Sequence, residues 1–412
     1  ELDRVHRPKP EWSIFIITAA MLCVGAFVQY HLAARAAPGG WAGQAAFSNY
    51  MTALPVGIAI LLVIYFADYT VLGKYPKRIY AGILLVCAIP CLFGGRTIVF
   101  NIFDLYIGYS NWLVIASALF LLPVYGGLLY RYRNNGYGGI LKCGAAAVLA
   151  LLVLGYSQRV WYGEGLAPAI FLLGGLVLIS AAIAKGWFGV EKRKAFVLVY
   201  VPALLSLSGL FLMKLWRYGD QRDVFLEGIK GMFLVNQDTT NGFWGLYARE
   251  VVKNARFIGQ GELGIPGVDP GIDSMRGFFP SWWADFSLTY LIYQWGLITA
   301  VISLALFAFL LVKMLRAALK QKNALGFIVS LSVVLAIGIQ CMLFFTANLG
   351  ICLFGILPLP LMSMGRISFL VNMVLIGLLL SAYRNIDIIR DVPSGYREVG
   401  KRKDKDKGKI RI

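Results

Sequence analysis

Apolar residues in this chain fall into long runs separated by short polar stretches, and residues 112–130 hold no charge at all. A helix needs about 20 such residues to cross about 30 Å of hydrocarbon. The pattern predicts about ten spans, near residues 13–33, 51–67, 79–94, 111–130, 140–156, 166–184, 196–215, 284–312, 326–347 and 368–383. The third and fifth are short and the eighth is long, so tilt or extension beyond the bilayer is expected there. The predicted fold class is all-α, a polytopic membrane protein with one domain over residues 1–390. The first run is followed by Arg35 and Pro38 rather than a clear cleavage site, so it is expected to be a retained span, with a signal anchor as the alternative. The opening Glu1 suggests that an initiator and a few residues precede it.

The polar stretches give the topology. Arg4, Arg7 and Lys9 precede the first span; Lys74, Lys77 and Arg78 follow the second; Arg131 and Arg133 follow the fourth. Lys185 and Lys192 to Lys194 follow the sixth, Lys313, Arg316, Lys320 and Lys322 the eighth, and Arg384 the tenth. Every second connection is thus basic, which places these connections and both termini in the cytoplasm. The short outer connections carry single arginines such as Arg35, Arg96 and Arg159. Residues 391–412 read as a disordered basic tail. It either touches anionic headgroups, at about 1 kcal/mol per basic residue, or is simply solvated.

Composition agrees: of 412 residues 59% are hydrophobic and 15% charged, with mean hydropathy +0.70. A net charge of +18 would suggest nucleic acid in a soluble protein, but its placement between spans makes it a topology signal. The six cysteines lie in or beside apolar runs without a CxxC pair, and the histidines are His6 and His31, so no zinc site is expected.

Candidate chemistry lies on the outer side. The connection over residues 216–284 is the longest and contains short amphipathic pieces and the turn-rich GIPGVDPGID. It is either a functional loop or a cap over the bundle. Polar residues in spans are costly and mark candidates; Asp285 and Gln294 open the eighth. Asp285 follows the interfacial pair Trp282 and Trp283, and a carboxylate at the edge of low dielectric gains basicity suited to accepting a hydroxyl proton. A helix N-terminal Asp favoured by the dipole is the plainer alternative. Arg256, Arg276 and Arg366 suit a pyrophosphate through paired hydrogen bonds, or lipid headgroups. The segment LPLPLMSMGR over 357–366 cannot continue a helix. It is either a re-entrant segment facing an outer cavity or an ordinary Pro-rich outer loop.

These segments also carry a resemblance. The SEDS family (shape, elongation, division and sporulation) has a pattern near its last span of roughly G-[IL]-P-L-P-F-[IM]-S-x-G-G-x-S, then L-x-A-N-M and G-L-L-L-S. Pro358, Leu359, Pro360, Ser363, Gly365, Ser368, Asn372, Met373 and the GLLLS from Gly377 are similar in register, and Asn348 with Gly350 resembles the preceding N-x-G. Pro280, Asp285 and Phe286 resemble P-E-x-H-T-D-F, Gly296 the Gly of E-E-x-G, and Phe257, Gly259 and Gly261 the motif L-F-G-x-G. The resemblance is clear over roughly the last 170 residues; the first half is similar in span layout.

It implies a peptidoglycan glycosyltransferase that polymerises lipid II, or a related undecaprenyl-pyrophosphate-linked substrate, on the outer face of the bacterial cytoplasmic membrane. Asp285 would be the base or an essential acidic group. Arg256, Gln260, Arg276, Trp282, Trp283, Pro358, Pro360, Ser363, Gly365 and Arg366 would contact substrate. A divalent cation, Mg or Mn, would neutralise the pyrophosphate transiently, and the implied partner is a class B penicillin-binding protein. The motif also departs: Ser281, Trp283 and Ala284 replace Glu, His and Thr, Tyr293 and Gln294 replace the E-E pair, and Arg366 replaces the second Gly. The early Q-P-S-E motif has no counterpart beyond Tyr109, Ser110 and Asn111. Two other readings stay open: a non-catalytic scaffold or lipid-binding partner, and a flippase of lipid-linked sugar.

Overall fold

The computed structural model describes residues 12–34, 41–92, 99–102, 105–108, 111–160, 165–218, 240–262, 284–352, 355–363 and 365–385. The helices are α1 Trp12–Ala34, α2 Trp41–Phe66, the single turn α3 Val71–Lys74, α4 Pro76–Leu92, α5 Asn111–Arg131, α6 Gly136–Val160 and α7 Leu166–Ala184. There follow α8 Lys192–Tyr218, α9 Thr240–Lys253, α10 Ser287–Trp295, α11 Ile298–Leu319, α12 Ala324–Asn348 and α13 Arg366–Arg384. Eight of them, α1, α2, α5, α6, α7, α11, α12 and α13, are long and apolar enough to cross a membrane. The shorter α4 and the Lys-rich start of α8 stand where the third and seventh spans are predicted. The helical bundle expected from the apolar runs is therefore observed. Among the described residues it gains one antiparallel hairpin, β1 Val99–Ile102 with β2 Leu105–Gly108, in the connection after α4. Its run of β-branched and aromatic residues suits strands.

The bundle has a centre and a rim. In α5 and α12, 78% and 83% of the apolar window is buried, against 22% in α2 and α11. A helix that is apolar all round belongs inside. The rim helices keep exposed side chains such as Val63, Leu204 and Leu304, the surface that acyl chains cover. Between α12 and α13 lies a buried polar clasp. Gln340 Nε2 donates to Asn372 Oδ1 (2.8 Å), Asn372 Nδ2 donates back to Gln340 Oε1 (3.1 Å), and Ser368 Oγ donates to the same oxygen (3.3 Å). In an apolar surround such groups must satisfy one another. On its other side α13 packs on α2: a Cβ at Gly377 would stand 3.0 Å from Leu61 O, and Ser381 Oγ caps Ala67 O at 2.6 Å.

Contacts between connections test the charge alternation. Arg131 Nη1 donates to Lys74 O, Arg384 Nη2 to Phe66 O, and Lys185 Nζ lies 3.8 Å from the Phe327 ring centre. Each contact joins elements predicted to meet on the basic side. At the opposite end, Arg249 Nε donates to Gly350 O and His31 packs on Trp295. The basic connections thus share one end of the bundle.

Candidate functional site

The predicted eighth span is not one helix. It breaks at Gly296 into α10 and α11, a correction to the single span expected over 284–312. Gly296 has φ +97° and ψ 176°, a backbone region essentially confined to glycine. A break leaves the last carbonyls of one helix and the first N–H groups of the next unpaired. Residues 256–261 satisfy both sets. Gly261 N donates to Tyr293 O (2.8 Å) and Gly259 N to Trp295 O (2.9 Å), closing α10. Leu297 N donates to Arg256 O (3.0 Å) and Ile298 N to Phe257 O (3.1 Å), opening α11. The stretch approaches so closely that a Cβ on Gly296 would stand 2.6 Å from Phe257 O. Two motifs far apart in sequence, around Phe257 and at Gly296, are therefore one backbone stitch.

At the other end of α10 sits Asp285. Its main-chain carbonyl accepts from Asn348 Nδ2 at 2.8 Å. Its residue surface is half-buried, but Oδ1 is sealed from solvent and has no hydrogen-bond partner among the described residues. Burial pushes the carboxyl up to about 7. The residue precedes α10 and lies outside the membrane-crossing helices, at the end of the bundle where α12 finishes. Ser287, one turn away, donates to Ala284 O (3.0 Å) and shares a 3.1 Å contact with Ser363 Oγ, which is then the donor.

Ser363 belongs to the Pro-rich segment before α13. That segment is not an exposed outer loop: Leu357, Leu359, Leu361, Met362 and Ser363 are all buried. It dips beside α1, where a Cβ on Gly25 would stand 2.9 Å from Leu361 O. Gly25 lies nine residues before the end of α1, about 13 Å along the helix from that end at 1.5 Å per residue. Non-helical carbonyls buried there need donors. Tyr50 Oη donates to Leu361 O (2.7 Å) and Gln29 Nε2 to Met362 O (3.2 Å). Leu361 also carries φ +66°, uncommon for a branched side chain. The segment is thus buried against α1 and α2 rather than an exposed loop.

The predicted residues divide as follows. Asp285 and Ser363 are brought together through Ser287. Pro358 and Pro360 are buried in the dipping segment, and Gly365 precedes α13, where a Cβ would stand 2.9 Å from Pro358 Cγ. Arg366 opens α13. Arg256 and Gln260 lie on the stitch; Arg256 pairs with Glu262 at 3.2 Å on the surface, and Gln260 Nε2 donates to Tyr293 Oη at 3.1 Å. The nine residues of α10 span about 13 Å, which separates these two from Asp285. Gln294 is buried, its Oε1 without a partner among the described residues. Arg276, Trp282 and Trp283 lie outside the described residues, as do GIPGVDPGID and the basic tail. Sequence reasoning passed over Gln29, Tyr50 and Gln340, each an uncharged polar residue in or beside an apolar run. The donor set at Asp285 is a single carboxylate, and no group of three or more His, Cys, Asp or Glu able to hold a metal occurs among the described residues. Among the described residues the side chains at Asp285 do not fit a protein-held cation.

Comparison with known proteins bears on the same elements. The family model of the FtsW, RodA and SpoVE cell cycle proteins matches residues 249–387, which hold α10 to α13, the stitch and the dipping segment. A probable peptidoglycan glycosyltransferase FtsW of Helicobacter pylori is 26% identical over 220 residues, 52% of this chain and 55% of that protein. The match thus spans about half the length of that relative. Two solved structures share the fold. A chain of a complex titled as a peptidoglycan synthase, coordinating polymerization and crosslinking, has TM-score 0.66 and 18% identity, covering 92% of this chain and 99% of that one. The Thermus thermophilus rod shape determining protein RodA has TM-score 0.53 and 17% identity, covering 92% and 98%. With the motif residues of the last spans gathered around one carboxylate, residues 249–387 of this multi-pass membrane protein match the FtsW, RodA and SpoVE cell cycle proteins, and the whole chain shares their fold.

Proposed function

We propose that this protein is a peptidoglycan glycosyltransferase acting on lipid II at the outer face of the bacterial cytoplasmic membrane, with residues 1–390 as its membrane domain. The observation that carries this reading is Asp285, a carboxylate with one oxygen sealed from water and its pKa pushed up to about 7, seated at the end of the bundle opposite the basic connections. A base of that strength is about half ionised at neutral pH, which suits general-base catalysis. In the reaction the acceptor's sugar hydroxyl oxygen bonds to the donor's anomeric carbon, with inversion. The carbon–oxygen bond to the pyrophosphate breaks, undecaprenyl pyrophosphate leaves with that electron pair, and the hydroxyl proton passes to Asp285. Ser287 and Ser363 hold the turn and the dipping segment together behind it. Arg366, at the start of α13, and Arg276, in the outer connection, are the proposed counter-charges for the pyrophosphate. Arg256, Gln260, Trp282 and Trp283 are assigned to the more distant parts of the lipid-linked substrate. Pro358, Pro360 and Gly365 shape the segment beneath. A divalent cation enters this scheme as counter-ion of the substrate, since one carboxylate is too few ligands to retain it.

A class B penicillin-binding protein is the proposed partner, supported by one fold relative being a chain of a peptidoglycan synthase complex. The second reading, a non-catalytic scaffold for such a partner, is favoured by one observation: Tyr293 and Gln294 stand where the family motif carries a Glu pair. Purified protein with its partner, lipid II and Mg or Mn separates the two. Glycan strands from the wild type, reduced about 10²- to 10⁴-fold in Asp285→Ala, support the enzyme. No strands under any of these conditions support the scaffold.

A further inference from the structure

We infer that Asn348 is the positioning residue for Asp285, acting as the missing N-cap of α10 from the end of another helix. The first residues of α10 need an acceptor for their free N–H groups, and a short polar side chain at the N-cap ordinarily provides it. Here the N-cap position is Phe286, whose side chain makes no such bond. Asn348 Oδ1 takes that place, accepting from Thr289 N at 2.9 Å and from Thr289 Oγ1 at 2.9 Å. Its Nδ2 donates to Asp285 O (2.8 Å) and back to Phe344 O (3.0 Å). One fully buried amide thus uses both its atoms to tie the carboxylate's own peptide and the following helix to α12.

What makes this a positioning device is the identity of the anchor. α12 is the most buried of the crossing helices and packs against α5, α7 and α11. Its end is therefore a fixed reference point. The other end of α10 is set independently by the stitch at Gly296. Without Asn348, α10 would keep its far end while Asp285 lost the tie that sets the height and direction of its main chain. The Asn of the N-x-G motif then acts on the reaction through Asp285, touching no substrate itself.

The kinetic arm of the test rests on the glycosyltransferase reading; the labelling arm does not. In strand synthesis with the partner and lipid II, Asn348→Ala and Thr289→Val are expected to lower kcat about 10- to 100-fold, the scale of a misplacement near 1 Å, with KM for lipid II little changed. Thr289→Ser keeps the hydroxyl and is expected to retain wild-type kcat. In the second arm, Asp285→Cys is labelled by a membrane-impermeant maleimide and read at its own peptide by mass spectrometry. Adding Asn348→Ala or Thr289→Val should change that labelling rate several-fold. Adding Gln340→Ala, which breaks a buried amide network elsewhere on α12, should leave it unchanged. Equal rates with Asn348→Ala, Thr289→Val and Gln340→Ala in folded protein would overturn the inference. A change specific to Asn348 and Thr289, in a protein that makes no strands, upholds the positioning role and removes the enzymatic reading instead. Should Asn348→Ala not fold, Thr289→Val, the loss of one hydroxyl, decides both arms.

Discussion

Replacing Gly296 by alanine tests whether the broken eighth span is held by its backbone stitch. Two costs add. Any residue with a Cβ at φ +97° and ψ 176° is strained by about 1–3 kcal/mol. The new Cβ would also stand 2.6 Å from Phe257 O and 2.7 Å from Arg256 O, so the 256–261 stretch must move away. Those carbonyls accept from Ile298 N and Leu297 N, and each such bond contributes about 1 kcal/mol. The sum is a loss of about 3–5 kcal/mol. Two glycines provide the scale. Gly259 has φ +95° with nothing within 4 Å among the described residues, so Gly259→Ala incurs the conformational cost alone. Gly155 lies inside α6 with open space around it, where alanine gains about 0.5–1 kcal/mol of helix propensity. Thermal unfolding in detergent, followed by a thiol-reactive fluorophore, should give midpoints in the order Gly155→Ala, Gly259→Ala, Gly296→Ala, highest to lowest. A Gly296→Ala protein as stable as Gly259→Ala would refute the close approach and, with it, the stitch.

Asp285 links function to pH. A general base must be ionised, so kcat/KM should rise with pH through about 7, and a profile flat from pH 5 to 9 would count against that role. Its folded-state acidity is weaker than the unfolded value of 3.8, so the stability it contributes is present below about pH 4 and lost as pH rises through 7. Asp285→Asn should therefore unfold at higher temperature than wild type at pH 8, with little difference at pH 4, while making no strands. Gln340→Ala and Asn372→Ala should each lower Tm, and the double variant should cost less than their sum, with a coupling of about 0.6–1.7 kcal/mol; strict additivity would deny the clasp. Tyr50→Phe leaves Leu361 O without its 2.7 Å donor and should cost about 1–3 kcal/mol, read as a lowered Tm with Leu22→Ala, a cavity variant of the same helix pair, for comparison.

The membrane architecture was legible because its causes are local. Apolar runs of span length, such as residues 112–130, mark helices through their own transfer energy, and alternating Lys and Arg set the ends. The basic connections indeed meet at one end of the bundle, as Arg131 with Lys74 and Arg384 with Phe66 illustrate. Asp285 was legible as a candidate for the same reason, an acid beside an apolar run. The prolines at 358 and 360 showed that a helix must stop there but left two outcomes, and burial separated them: Tyr50 and Gln29, more than 300 residues away, supply the donors that let carbonyls lie inside.

The tertiary structure alone decided how the pieces join. From sequence the eighth span is one continuous apolar run, because an apolar glycine-bearing stretch reads the same whether or not it breaks. The break at Gly296 exists because residues 256–261 supply both sets of missing partners, and no local pattern reports a partner some 35 residues upstream. In the same way, Asn348 is a motif residue in sequence and a trans cap in space. The chain by itself determined which segments enter the membrane and where a carboxylate would gain basicity, since transfer energies belong to each segment. Where that carboxylate stands, and what holds it, depends on hydrogen bonds between segments, which exist only once the helices have packed.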